Sequence, residues 1–218
     1  GNNHSLFLDS TGKVYGCGLN YDGQLGISDS GNISIPTQIT GNIQNCNIVA
    51  ISGGGGHSQF LDSNGKVYSC GDNNLGQLGR GNIINVFNTN VQITQITINI
   101  QNCNIVAISA GSYHSLFLDS TGKVYACGRN NNGQLGISDS GNILIPTLIT
   151  SNIVAICTGG HSLFISSTVQ QTTPTTTLIP GSGMGGTGGS IGLPGSKGAS
   201  GLVLLKYNTG MKYYDNNY

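Results

Sequence analysis

Apolar and polar positions alternate in short runs along most of this chain, and no stretch keeps a helical period of useful length. The clearest run is HSLFLD (4–9), with a β-prone centre, followed by Asp-Ser-Thr-Gly and then KVYGCG (13–18). Two strand-like runs joined by an Asp/Gly turn predict a β-hairpin. Farther on come IPTQIT (35–40) and IPTLIT (145–150), where Pro36 and Pro146 suit the start of a strand or an edge strand. IVAIS at Ile48–Ser52 and Ile105–Ser109, and IVAIC at Ile153–Cys157, are short apolar runs of the buried-strand type.

These runs recur in one order. HSLFLDSTGKVYGCGLNYDGQLG begins at His4, HSQFLDSNGKVYSCGDNNLGQLG at His57 and HSLFLDSTGKVYACGRNNNGQLG at His114. A shortened copy, HSLFIS, begins at His161. Four short strands in a unit of about 50 residues predict propeller blades or a comparable stacked β-array. The expected fold is therefore all-β: about three blades plus partial ends in an incomplete or open ring. A glycine-repeat extended tail follows. The expected boundaries are 1–167 for the array, 168–181 for a Thr-rich linker, and 182–218 for the tail.

Composition narrows the function. Only 7% of residues are charged and the formal net charge is zero, against roughly 25% charged in an average soluble domain. A neutral, charge-poor chain makes a poor ligand for nucleic acid, because affinity for phosphates comes from Lys and Arg releasing counterions. No apolar run approaches the ~20 residues of a membrane span, and no signal-peptide pattern opens the chain. The first residue is Gly1 rather than Met, which fits processing or a fragment. The cysteines Cys17, Cys46, Cys70, Cys103, Cys127 and Cys157 match no zinc spacing. They are expected to be small buried residues, with disulfides as the alternative.

The segment YGCGLNYDGQLG (15–26) has the glycine density of a phosphate-binding loop. Its spacing is not G-x-G-x-x-G, no helix follows, and it carries no P-loop Lys. It also occurs three times, as a turn needed once per blade would. Gly18, Gly23 and Gly26, Gly71, Gly76 and Gly79, and Gly128, Gly133 and Gly136 are thus expected to bend the backbone. Leu25, Leu78 and Leu135 are expected to plug the space between blades. His4, His57, His114 and His161 each precede Ser, but neighbours on a strand point to opposite faces, so the pair is no nucleophile and base. Each His is expected to donate to backbone carbonyls within its own blade. Asp9, Asp62 and Asp119 are expected to satisfy local N–H groups at the hairpin turns. Asp29 and Asp139 lie in longer loops that are expected to be solvated, a calcium or partner site being the alternative. No catalytic residue, cofactor or metal site is expected.

The pattern IVAISxGxxHSLFLDSxGKVYxCGxNNxGQLG resembles the regulator of chromosome condensation repeat, over roughly residues 1–167. The resemblance implies a β-propeller, usually of seven blades. Where the family has an aromatic, usually Trp, before the glycine of VYxWG, this chain has Cys17, Cys70 and Cys127. Its units are also too few for the family's closed ring. A truncated propeller, arcs from several chains completing one another, and a shorter open stack all remain open.

Beyond Ser167 the composition changes. TVQQTTPTTT (168–177) reads as an extended linker. Gly183, Gly186, Gly189, Gly192, Gly195, Gly198 and Gly201 then keep a period of three, as in a collagen-like or polyproline-type helix; a disordered linker is the plain alternative. Leu202–Tyr207 reads as a strand before an Asn-Thr-Gly turn. This ending resembles those of viral and phage fibre proteins, which implies a homo-oligomer, in the fibre case a trimer. The function expected from these features is a non-enzymatic structural or protein-binding module on a virus particle, fibre or cell surface. The alternative, implied by the repeat family, is a cytoplasmic or nuclear regulator acting in guanine-nucleotide exchange or chromatin binding.

Overall fold

The computed structural model describes residues 1–28, 31–83 and 92–166, together with the backbone of 206–207 and 210–211. The chain divides into two units, Gly1–Gln171 and Thr172–Tyr218. The first unit is built from antiparallel meanders, as the repeats require. Its first sheet runs β1 (His4–Leu8), β2 (Val14–Gly18), β3 (Ile33–Ile39). The second runs β4 (Ile48–Gly53), β5 (His57–Asp62), β6 (Val67–Gly71), β7 (Thr94–Gln95). The third repeats that order with β8 (Ile105–Ala110), β9 (His114–Asp119), β10 (Val124–Gly128) and β11 (Ile143–Thr150). β12 (Ile153–Thr158) and β13 (Ser162–Ser166) form a final pair.

The hairpins close as local chemistry dictates. Asp9 Oδ1 accepts from the backbone N–H groups of Thr11 and Lys13, at 2.8 and 2.9 Å. Asp62 and Asp119 do the same for Asn64 and Lys66, and for Thr121 and Lys123. Each IVAI strand carries a bulge at the same place, skipping Val49, Val106 or Val154 in the pairing. An unpaired residue bends the strand and turns its side chain away from the ladder, and these three valines are exposed.

The core lies between the sheets. Leu6, Leu8, Val14 and Ile39 of the first sheet pack with Ile51, Phe60, Tyr68 and Cys70 of the second. Leu61 and Val67 meet Ile105, Phe117 and Cys127, and Leu116, Leu118 and Ala126 meet Ile153, Ile156 and Phe164. Each sheet is thus a blade with two apolar faces, and the blades stack as the strand pattern predicts. The described part of the second unit is a pair of antiparallel two-residue strands, β14 (Lys206–Tyr207) and β15 (Gly210–Met211). The Thr-rich segment, the glycine triplets and most of the predicted tail strand lie outside the described residues.

Inter-blade junctions and the loop face as the candidate functional site

The repeated His and Ser of the three copies meet at the junctions between blades. His4 Nε2 lies 2.9 Å from Ser58 Oγ, His57 Nε2 lies 3.0 Å from Ser115 Oγ, and His114 Nε2 lies 3.1 Å from Ser162 Oγ. Each serine belongs to the blade after that of its histidine. The serine hydroxyls in turn donate to the carbonyls of Gln24, Gln77 and Gln134, at 2.5, 2.6 and 2.7 Å. A hydroxyl has one proton, so the imidazole must donate to the serine oxygen, which fixes the Nε2–H tautomer. For His4, His57 and His114 the expectation that each His serves carbonyls of its own blade is therefore corrected: the acceptor is the next blade's serine. The swap follows from alternation, since a strand that turns His forward turns the following Ser backward.

This His–Ser contact is structural. Ser58 and Ser115 are fully buried and their protons are already committed, so neither can serve as a nucleophile. Burial, then the neighbouring His4 and His114, push the His57 pKa down to about 3. Burial also lowers His4 and His114 to about 4, with the amino terminus and His161 adding to the effect. His161 itself is exposed.

The glycine loops carry the other half of the junction. Gly18, Gly71 and Gly128 share a φ of 105°, a conformation that side chains rarely adopt. Gly23, Gly26, Gly76, Gly79, Gly133 and Gly136 also have positive φ. Leu25, Leu78 and Leu135 are fully buried, and Leu135 joins the cluster between the last two blades. Two residue types that the sequence reading did not single out hold these turns. Asn20, Asn73 and Asn130 each accept from the N–H of the buried Leu and donate to a carbonyl later in the loop. Gln24, Gln77 and Gln134 accept through Oε1 from the N–H two residues earlier. Both recur at one place in every copy, a signal available in the sequence.

The cysteines in the place of the family aromatic meet the same carbonyls. Cys70 Sγ lies 3.4 Å from the Gln24 oxygen and Cys127 Sγ 3.6 Å from that of Gln77. Burial raises the Cys70 pKa to about 12 and pushes Cys127 up as well, so both stay inert thiols. Cys17, Cys46 and Cys103 are half-buried, Cys157 is exposed, and none of the six is bonded to another within this chain.

At one end of the blades the loop before each His strand meets the glycine turn, as Leu19, Asp72 and Arg129 donate backbone N–H groups to the carbonyls of Asn3, Gly56 and Tyr113. Tyr21, Asp22, Asp72, Tyr113 and Arg129 are there. Asp22 and Asp72 flank Gly56, and burial followed by the charge of Asp72 raises the Asp22 pKa. The Arg129 guanidinium sits 5.8 Å over the Tyr113 ring. Tyr21 and Tyr113 are 58% and 43% exposed. Asp139 caps Gly141 in an exposed loop, and Asp29 lies outside the described residues. Among the described residues, no three His, Cys, Asp or Glu side chains group as metal ligands. No helix there is long and apolar enough to cross a membrane.

The same junctions explain what the chain resembles. The model of the regulator of chromosome condensation (RCC1) repeat matches residues 11–61, 64–118 and 121–165. The chain is 36% identical to the Protein RCC2 homolog of Danio rerio over 141 residues, 65% of this chain and 27% of that one. It is 33% identical to the Ultraviolet-B receptor UVR8 of Arabidopsis thaliana over 159 residues, 72% of this chain and 34% of that one. It is also 34% identical to the E3 ubiquitin-protein ligase HERC2 of Homo sapiens, covering 68% of this chain and 3% of that one. The chain thus spans about a third or less of each of these relatives. Among solved structures, Prp20p of Saccharomyces cerevisiae superposes with a TM-score of 0.64 at 25% identity, over 77% of this chain and 43% of that one. That structure is described together with its binding to Gsp1p and histones. The matched repeats, their blades and their shared junctions together show that this chain belongs to the regulator of chromosome condensation repeat family.

Proposed function

We propose that this chain is a non-catalytic protein-binding segment of a regulatory propeller, and that its loop face makes the contact. One observation carries this reading. The shared His, Ser, Asn, Gln and Leu are consumed in the turns and in holding blades together, while the positions that differ within the glycine turns are half-buried or exposed at one end of the array. Leu19, Asp72 and Arg129 occupy one repeat position, and Tyr21, Asn74 and Asn131 another. Such a face pairs acidic groups (Asp22, Asp72) with a cationic and aromatic pair (Arg129, Tyr113), which suits a protein surface of mixed charge better than a polyanion. The relatives favour the regulatory alternative over a virion or fibre component, and a cytoplasmic or nuclear location is part of the proposal. Partners of the kind named for Prp20p, Gsp1p and histones, are the first to test.

The test compares the full chain with Tyr113→Ala/Arg129→Ala in binding to core histones and to a small GTPase, and in nucleotide release from that GTPase. Saturable binding to one partner, weakened at least tenfold in the double variant at unchanged melting temperature, is the expected result. Absence of binding to either class, or equal binding by both chains, overturns the proposal.

A further inference from the structure

We propose that the junction between the second and third blades is a built-in seam, at which the array parts while its blades stay folded. Three repeat positions set this junction apart. Leu6, Gly16 and Ile27 occupy them in the first blade, and Leu116, Ala126 and Ile137 in the third. In the second blade they are Gln59, Ser69 and Arg80. Leu6 and Ile27 pack into the cluster between the first two blades, and Leu116, Ala126 and Ile137 into the one between the third blade and β12–β13. Between the second and third blades, Leu61 and Val67 meet Ile105, Phe117 and Cys127, and toward the loop face the polar trio takes over. Gln59 is 0% exposed and stands opposite Ser69 in the hairpin. Ser69 Oγ donates to the Leu78 carbonyl at 3.2 Å. Arg80 Nη2 donates to the carbonyls of Ser69 and Gln92, at 2.6 and 3.2 Å. Among the described residues, neither end of the Gln59 amide nor the Arg80 Nε has a partner. Burial lowers the Arg80 pKa against a smaller opposing effect of Cys70, so its charge is held partly away from water.

Repeat arrays are held together by contacts between neighbouring units, so the weakest junction parts first. Where Leu6 and Ile27, or Leu116 and Ile137, line a junction, parting exposes apolar surface to water. At the junction of the second and third blades the same step hydrates an amide and a guanidinium that burial has left incompletely bonded. The His–Ser contact is made at each junction and does not distinguish this one. Two further hydrogen bonds cross it, from the Gly55 N–H to the Gly111 carbonyl at 3.2 Å and from the Ala110 N–H to Ser52 Oγ at 2.9 Å. Both exchange for bonds to water on opening, so their net contribution is small. The blades themselves hold, because β5 and β9 are each paired along both edges. The seam also divides the loop face, with Asp22 and Asp72 on the first two blades and Tyr113 and Arg129 on the third. Opening therefore changes the spacing between the two halves of that face, a consequence that rests on the loop-face reading. The seam itself does not rest on it, and either proposal can fail without the other.

Native-state hydrogen exchange of the full chain, followed residue by residue by NMR, tests it. The Gly55 and Ala110 amides report on the seam, and the amides of the central strands β5 and β9 report on unfolding of the blades. Gly55 and Ala110 are expected to share one opening constant, at least tenfold above that of the central strands. Gln59→Leu supplies the residue of the neighbouring copies and is expected to slow both reporters at least tenfold. Gln59→Met, unbranched like Gln, is expected to act in the same direction and covers the case of a leucine that does not fit. Far-UV circular dichroism confirms that both variants keep the β-fold, and slowing by either supports the seam. Reporters as slow as the central strands, two unrelated opening constants, or rates unchanged in both variants overturn the proposal.

Discussion

Gln59 stands where the other copies have Leu6, Leu116 and Leu163, between His57 and Leu61 on the forward face of its strand. It is completely buried, and neither its Nε2 nor its Oε1 has a protein partner. A buried polar group left without a hydrogen bond costs about 1–3 kcal/mol, and Leu is close to Gln in volume. Gln59→Leu is therefore expected to stabilise the chain by about 1–3 kcal/mol, read as a higher urea midpoint at unchanged slope. An unchanged or lower midpoint would show that the amide is satisfied or that the site cannot repack. The sequence shows Gln59 as the odd copy; only its position between two blades makes it costly.

At the scale of elements, the hairpins were legible and the junctions were only half so. Asp62-Ser-Asn-Gly forms its turn from groups within four residues, which any reader of the sequence can place. The His–Ser–Gln relay joins residues 28 to 58 positions apart, and a period in the sequence does not say which copy answers which. The recurrence of His, Ser, Asn and Gln was visible, whereas the direction of each side chain was set by the neighbouring blade. A pair of substitutions separates these levels. Ser115→Ala leaves the His57 Nε2 proton without its acceptor in a buried site and is expected to cost about 1–3 kcal/mol. Ser5→Ala is the same change at the same repeat position, on an exposed face, and should stay within about 0.5 kcal/mol. Urea melts of the two variants check the contrast; equal losses would mean that the relay adds nothing.

Across the whole molecule the buried imidazoles couple stability to pH. His4, His57 and His114 are held neutral in the fold, with pKa values lowered to about 4, 3 and 4. The unfolded chain takes up protons on these groups below about pH 6.5, and the folded chain does not until far lower. Their stabilising effect is thus complete above about pH 6.5 and erodes as pH falls toward 4 and then 3. For the fully buried His57 alone, the loss between pH 7 and pH 5 comes to about 2 kcal/mol. The urea midpoint at pH 5 should lie clearly below that at pH 7, and a flat profile over that interval would contradict the neutral relay. The direction of the change is a property of three junctions acting together.

The sequence by itself determined the blades: strand runs, Asp/Gly turns and a period near 50 residues all depend on neighbours close along the chain. It also placed the positive-φ glycines and the buried leucines, because a turn repeated in each copy must meet one steric demand. What only the tertiary structure decided is what lies across each junction. Phe7 and Phe117 occupy the same repeat position, yet one is half exposed and the other wholly buried. The difference is the presence of a neighbouring blade, a long-range fact that local pattern does not contain. The loop face emerges in the same way, as a surface left after the shared residues have been used in stacking.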